Sequence, residues 1–110
     1  MKQIRPVKNL HAVIRVPGSK SYTQRALIAA ALASGRSRVL GALMSEDIEY
    51  LIAALRAMGI IIHKNDGDLI VEGTGGRLTV PEAPIFMGNN GTGLRLLTTT
   101  VCLGRGEFVL

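Results

Sequence analysis

A chain of 110 residues, 47% hydrophobic and 19% charged, has room for one domain with a single core and is too apolar to be a disordered segment. With no tryptophan, two tyrosines and two phenylalanines, its core is aliphatic and it is poor in platforms for stacking single-stranded nucleic acid. The net charge is +5, and Lys2, Arg5, Lys8, Arg15, Lys20, Arg25, Arg36 and Arg38 all precede the first acid, Glu46, so the opening third calls for an anionic partner: nucleic acid, an acidic membrane surface or a small anionic substrate.

In chain order, residues 11–16 alternate as a strand and are stopped by Pro17-Gly18. Ser21-Tyr22-Thr23-Gln24 has the form of a capping box, followed by a small and aliphatic run, 26–33, which predicts a buried helix ended by Gly35. Residues 37–40 read as a short strand. Ser45 then caps a second helix with Glu46, Asp47 and Glu49 in its first turn as dipole partners, and Gly59 ends it. The stripe Ile48, Leu51, Ile52, Leu55 and Met58 predicts that this helix covers a sheet.

Residues 60–63 and 69–72 flank an Asp66-Gly67 pair and predict a β-hairpin, with a further short strand at 78–80. Gly88-Asn89-Asn90-Gly91-Thr92-Gly93, with Thr92 as its cap, leads into a third apolar helix through Leu103, and residues 107–110 begin another strand. Ser34-Gly35-Arg36 and Leu103-Gly104-Arg105 are similar helix exits, each ahead of a strand, which implies repeated αβ units. The apolar pattern running to Leu110 reads as an element continued elsewhere.

Cys102, the one cysteine, lies in an apolar run and is expected in the core; it leaves no disulfide framework and no multi-cysteine metal site. His11 and His63 lack a carboxylate or cysteine at ligand spacing and are expected at a surface or edge. No signal-peptide core and no membrane-length apolar stretch is present, and a cytoplasmic protein is expected.

Two segments share one design: a Gly-bearing turn opening a helix, whose first turn offers unpaired N–H groups and a positive dipole end to an anion. In Pro17-Gly18-Ser19-Lys20-Ser21, Lys20 adds an ammonium and the serines add hydroxyls. Arg25, one turn on from Ser21, adds a planar fork suited to a phosphate or carboxylate. Ser21 as a mere cap and Arg25 as a mere solvated charge is the plainer alternative. In 88–93 three glycines allow close backbone approach to a ligand, with Asn89 as a neutral contact and Arg95 just inside; an ordinary helix-entry turn is the alternative. Gly18-Ser19-Lys20-Ser21 lacks the upstream glycine of a P-loop. Gly88-Asn89-Asn90-Gly91 matches the Gly-x-x-Gly loop of KH domains, which keeps a small basic RNA-binding module as a second reading.

Together, 17–21, Arg25-Ala26-Leu27 and Gly88-Asn89-Asn90-Gly91-Thr92 before Leu94-Arg95 closely resemble the 5-enolpyruvylshikimate-3-phosphate synthase family, over the whole chain. The related UDP-N-acetylglucosamine enolpyruvyl transferases usually have Asn where this chain has Ser21. The resemblance implies transfer of the enolpyruvyl group of phosphoenolpyruvate to the 5-hydroxyl of shikimate 3-phosphate, with no cofactor, no metal, no nucleic acid and no membrane, in a full-length enzyme expected to be monomeric. It implies that Lys20 contacts both substrates, as the catalytic residue within this chain, that Ser21 and Arg25 hold shikimate 3-phosphate, and that Gly91, with Asn89 nearby, lies against phosphoenolpyruvate, where glyphosate competes. It implies an α/β (α+β) fold, a βαβαββ unit of an inverted barrel with its sheet packed on buried helices, in which residues 1–17 are the opening strand of one domain and 18–110 the first unit of the other. Two positions depart from the common motif: Gln24 stands where many members have Asn or His, and Asn90 where many have Ala or Ser. Family enzymes are several times longer and carry acid/base groups elsewhere, so the chain is expected to hold part of a site, to need the remainder of its enzyme for turnover, and to be unstable or self-associating alone.

Overall fold

These patterns resolve into helices and strands in the computed structural model, which describes residues 2–110: α1 (Lys20–Leu32), β1 (Ser34–Val39), α2 (Glu46–Ala57), β2 (Ile61–Asn65), β3 (Asp68–Thr74) and α3 (Gly91–Thr100), with a 3-10 turn at Val101–Leu103. The apolar stripe of the second helix behaves as its period requires: Ile48, Leu51, Ile52, Leu55 and Met58 are all fully or almost fully buried. Its end is closed by Gly59 N donating to Arg56 O at 2.9 Å and Ile60 N to Leu55 O at 3.1 Å, the paired bonds of a Schellman motif.

β2 and β3 form the expected hairpin. Asn65 pairs with Asp68 across a two-residue loop in which Asp66 and Gly67 both have positive φ, 45° and 84°, the conformation whose twist matches that of the strands. β1 pairs antiparallel on the other side of β3, from Ser34 opposite Thr74 to Val39 opposite Leu69, giving the order β1-β3-β2. Leu69 and Val71 on β3 and Ile62 on β2 are buried while Ile61 is exposed, so one face of the sheet carries the core. α1 packs on β3 and β1 and touches both other helices. Gly73 permits this: a Cβ there would lie 2.2 Å from Ala33 O and 2.5 Å from Ala30 O, so any side chain would lift the end of α1 from β3. The result is a mixed α/β fold with its sheet packed on helices.

Folding neutralises three of the eight cations of the basic first third. Arg36 meets Glu72, its register partner, at 2.6 Å, Arg38 meets Asp68 at 2.8 Å, and Lys20 meets Asp47 at 2.6 Å, each acid far along the chain. These pairs are partly or largely exposed, and each contributes at most about 1 kcal/mol.

Three strand expectations fail for one reason: a period-2 pattern specifies faces but does not supply a partner. Residues 11–16 form no strand, and the whole arm 2–17 is irregular and almost wholly exposed, Val13 and Ile14 included. The arm stretches the molecule to 61 Å and its radius of gyration to 17.6 Å, against about 13 Å for a compact chain of this length. Residues 78–80 are irregular, tied by Thr79 N to Met58 O at 3.0 Å; residues 107–110 are also irregular, with Val109 O accepting from Ile85 N at 2.8 Å. Gly35 lies inside β1 rather than at the end of α1, which closes at Ala33. Cys102 is exposed, not core. The buried side of α3 runs through Gly93, Leu97 and Thr100, and five residues past Leu97 lies about 140° round a helix.

Candidate functional site

The Pro17-Gly18 turn releases the chain into a helix sooner than the capping-box pattern implies. Ser19, extended at φ −85° and ψ 125°, is the cap, its Oγ accepting from Tyr22 N at 3.4 Å. Lys20 and Ser21 therefore occupy the first turn of α1, both exposed, at its positive end. Thr23 strengthens this start: its Oγ1 donates to Ser19 O at 2.9 Å and accepts from Leu43 N at 3.1 Å, joining α1 to the loop before α2.

Gln24 does not reach back as a capping-box partner. It is fully buried, and its Nε2 donates to Asn90 Oδ1 at 2.8 Å, across 66 residues of chain. Asn90, not Thr92, caps α3: the same Oδ1 accepts from Gly93 N at 2.8 Å. Its Nδ2 donates to Asp47 O at 2.8 Å, at the start of α2. The carboxylate of Asp47 takes Lys20 Nζ at 2.6 Å, with side-chain exposures of 23% and 51%. The beginnings of three helices are thus tied together; the first turn of α2 carries its own carboxylates, while the first turns of α1 and α3 carry no acid and leave their positive dipole ends for an anion.

Among the sequence-predicted residues, Lys20 and Ser21 are adjacent on α1, and Arg25 bends back along the same helix, its Nη1 donating to Ser21 O at 3.0 Å and to Ser21 Oγ. Arg25 has no acidic partner among the described residues. Asn89 and Gly91 are exposed at the start of α3, with Gly91 N donating to Asn89 O at 3.1 Å. Among the described residues, no hydrogen bond or ion pair links Lys20, Ser21 or Arg25 directly to Asn89 or Gly91; Gln24, Asp47 and Asn90 join the two groups from beneath. The sequence offers Gln24 as a capping-box partner and a motif departure, Asn90 as a motif departure and Asp47 as a dipole partner, none of them as a link between the two segments. Nothing local marks a partnership across 27 or 66 residues.

The three glycines of 88–93 have different roles. A Cβ on Gly88 would meet the Tyr50 ring at 2.5 Å and one on Gly93 would meet Asn90 Nδ2 at 2.3 Å, so both are packing positions. A Cβ on Gly91 would meet nothing within 4 Å: this glycine borders open space.

Two groups titrate away from their ordinary values. The Tyr50 hydroxyl donates to Glu46 Oε1 at 2.8 Å, and this bond, with partial desolvation and the nearby carboxylates, raises its pKa. Asp68 accepts from Gly41 N at 2.8 Å and, with Arg38 beside it, is held below the usual carboxylate range. A hollow of about 550 Å³ between Tyr50, Ala53, Ala57, Pro81 and Phe86 is larger than the space of about 250 Å³ beside Ser19 and Thr23, but it is mainly apolar and has Glu82 as its charged side chain. It is unsuited to an anion. His11 lies in the arm and His63 on the edge strand β2, both exposed. The loop 88–91 is entered from irregular chain, where a KH loop joins two helices. Among the described residues no helix is long and apolar enough to cross a membrane.

A family model described as EPSP synthase (3-phosphoshikimate 1-carboxyvinyltransferase) matches residues 4–110. The 3-phosphoshikimate 1-carboxyvinyltransferase of Rhizobium etli strain CFN 42 is 48% identical over 107 residues, covering 97% of this chain and 26% of that protein. The protein of the same name from Vibrio vulnificus is 41% identical over 110 residues, again 97% of this chain and 26% of the relative. The chain spans about a quarter of the length of these curated relatives. The solved structure of EPSP synthase from Acinetobacter baumannii superposes with a TM-score of 0.75 at 36% identity, over 80% of this chain and 20% of that one.

Proposed function

Because this chain belongs to the EPSP synthase family, we propose that it supplies one wall of a site that transfers the enolpyruvyl group of phosphoenolpyruvate to the 5-hydroxyl of shikimate 3-phosphate, in the pathway to chorismate and the aromatic amino acids. The observation that carries this reading is the hydrogen-bonded tie between the start of α1, which bears Lys20 and Ser21, and the start of α3, which bears Gly91. The 5-hydroxyl oxygen gives up its proton and bonds to C2 of phosphoenolpyruvate while C3 takes a proton and becomes a methyl group, giving a tetrahedral intermediate; cleavage of the C2–O bond to phosphate and loss of a proton from that methyl group form the enol ether. Both substrates carry phosphate and carboxylate charge throughout, so fixed cations and helix ends are the stabilising groups such chemistry needs.

In this reading Lys20 exchanges Asp47 for the two substrates and lies between them as a point charge. Ser21 and Arg25 hold shikimate 3-phosphate, Arg25 being able to turn its fork from Ser21 to a phosphate because no acid among the described residues retains it. Gly91 lies against phosphoenolpyruvate with Asn89 beside it, and glyphosate competes there. The run α1-β1-α2-β2-β3 is the αβαββ part of a βαβαββ unit of an inverted barrel, and the exposed arm before Pro17 is its opening strand, paired in the other domain. Residues 1–17 then belong to that domain and 18–110 to this one, so turnover requires the remainder of the enzyme to close over the substrates in a cytoplasmic monomer.

The test is phosphate release from phosphoenolpyruvate with shikimate 3-phosphate, run beside calorimetric titration of each ligand into the 110-residue chain. Binding without turnover, lost in Lys20→Ala and Arg25→Ala, is the expected result. Turnover by the chain alone would overturn the partial-site reading, and binding indifferent to both substitutions would overturn the assigned residues.

A further inference from the structure

Asn90 Oδ1 accepts from a backbone N–H, which can only donate, so the orientation of this amide is settled and its Nδ2 is the atom facing Asp47 O. Gln24 meets the same oxygen and must present Nε2 to it. Its own Oε1 is then buried with no donor among the described residues. An apolar side chain of equal size would fill that interior without an orphaned acceptor, so space-filling does not account for an amide here. What the amide adds is a directed bond between α1 and the cap of α3. Asn90 is long enough to reach Gln24, Gly93 N and Asp47 O at once, a gap that Ala or Ser at position 90 is too short to span.

We propose that Gln24 and Asn90 are a positioning pair: their hydrogen bond, with Asn90 also holding Asp47 O, sets the start of α3 and Gly91 in register with Lys20 and Ser21 on α1. Neither amide touches substrate. The pair acts through the backbone of 91–93 and through Asp47, whose carboxylate in turn places Lys20. Its consequence for ligand affinity rests on the substrate reading above; its consequence for the start of α3 does not.

The experiment uses the ¹⁵N-labelled chain with Gln24→Met, Asn90→Ser and the double substitution. Met removes the bond at nearly constant volume, and Ser keeps a cap for α3 while losing both ties. Amide hydrogen exchange at Gly93 should quicken roughly tenfold in Gln24→Met. Val71, buried in the central strand β3, should keep its wild-type rate. Shikimate 3-phosphate should bind roughly tenfold more weakly to Gln24→Met and at least as weakly to Asn90→Ser, and the double should bind no more weakly than Asn90→Ser, because that substitution already removes the Gln24 linkage. Additive losses would overturn the pair, as would an unchanged Gly93 rate or equal acceleration at Gly93 and Val71, the mark of general destabilisation. If the unsubstituted chain binds neither shikimate 3-phosphate nor phosphoenolpyruvate, the substrate reading falls and the exchange rates still decide the pairing. Should Gln24→Met not fold, Asn90→Ser decides by affinity: an unchanged value overturns the proposal.

Discussion

The two sides of α1 carry opposite chemistry. Toward solvent stand Lys20, Ser21 and Arg25, charged or hydroxylic and exposed; toward the interior stand Thr23, Gln24 and Leu27, neutral and buried. A charge at position 24 would need an opposite charge buried with it, at a desolvation cost that often exceeds the attraction, whereas a neutral amide needs only a hydrogen-bond partner. The outer layer therefore keeps its charges hydrated and ready for an anionic ligand, and the inner layer fixes where those charges stand. Recognition and positioning are separable on one helix, and substitutions should separate them.

The largest effect is expected from the inner layer. Leu27→Ala, at a fully buried site, should cost roughly 2–5 kcal/mol by leaving a cavity, read as a lowered denaturation midpoint with unchanged slope. Lys20→Ala and Arg25→Ala should leave that midpoint nearly where it was, since Lys20 loses one partly exposed ion pair, but should weaken shikimate 3-phosphate binding by roughly ten- to a hundredfold each in calorimetry, the measure of a charge-assisted hydrogen bond. A stability loss matching the binding loss would break the separation. Gly91→Ala has room for its methyl group, so the fold should be indifferent to it while glyphosate inhibition of the full-length enzyme weakens; an unchanged inhibition curve would remove Gly91 from the phosphoenolpyruvate wall.

The smallest effect concerns neither layer. Asp68 has a depressed folded pKa, so its bonds to Gly41 and Arg38 stabilise the fold above its unfolded pKa, near about 3.9, and that contribution is lost as pH falls through the folded value. Asp68→Asn should lower the melting temperature slightly at pH 7, and the difference from the parent should vanish in strong acid, with ligand binding at pH 7 untouched.

Local physics was legible in the sequence, and distance was not. The stripe from Ile48 to Met58, the Asp66-Gly67 turn and both Gly-led helix entries depend on neighbours within a turn or two, and they stand where their spacing put them. Both caps were misplaced by two residues, because Ser19 and Ser21, or Asn90 and Thr92, are equally able to cap and only the path into the helix chooses. The patterns at 11–16 and 107–110 are sound, but the first finds no partner among the described residues and the second only a single backbone bond, from Ile85 N to Val109 O. In the site, charged groups and glycines announced themselves by type, whereas Gln24, Asn90 and Asp47 acquire their meaning from contacts made across 27 to 66 residues of chain. The arm, with its run of exposed apolar side chains, is the corresponding case in the fold: its pattern was readable, its partner was not.

The central claim, that an anionic substrate is received where α1 and α3 begin, is tested most directly by mapping amide chemical shifts of the labelled chain as shikimate 3-phosphate is added. The account predicts that the moving signals cluster at 19–25 and 89–93 and saturate together. Movement centred on the apolar hollow by Tyr50 and Phe86, or spread along the basic arm without saturation, would contradict it.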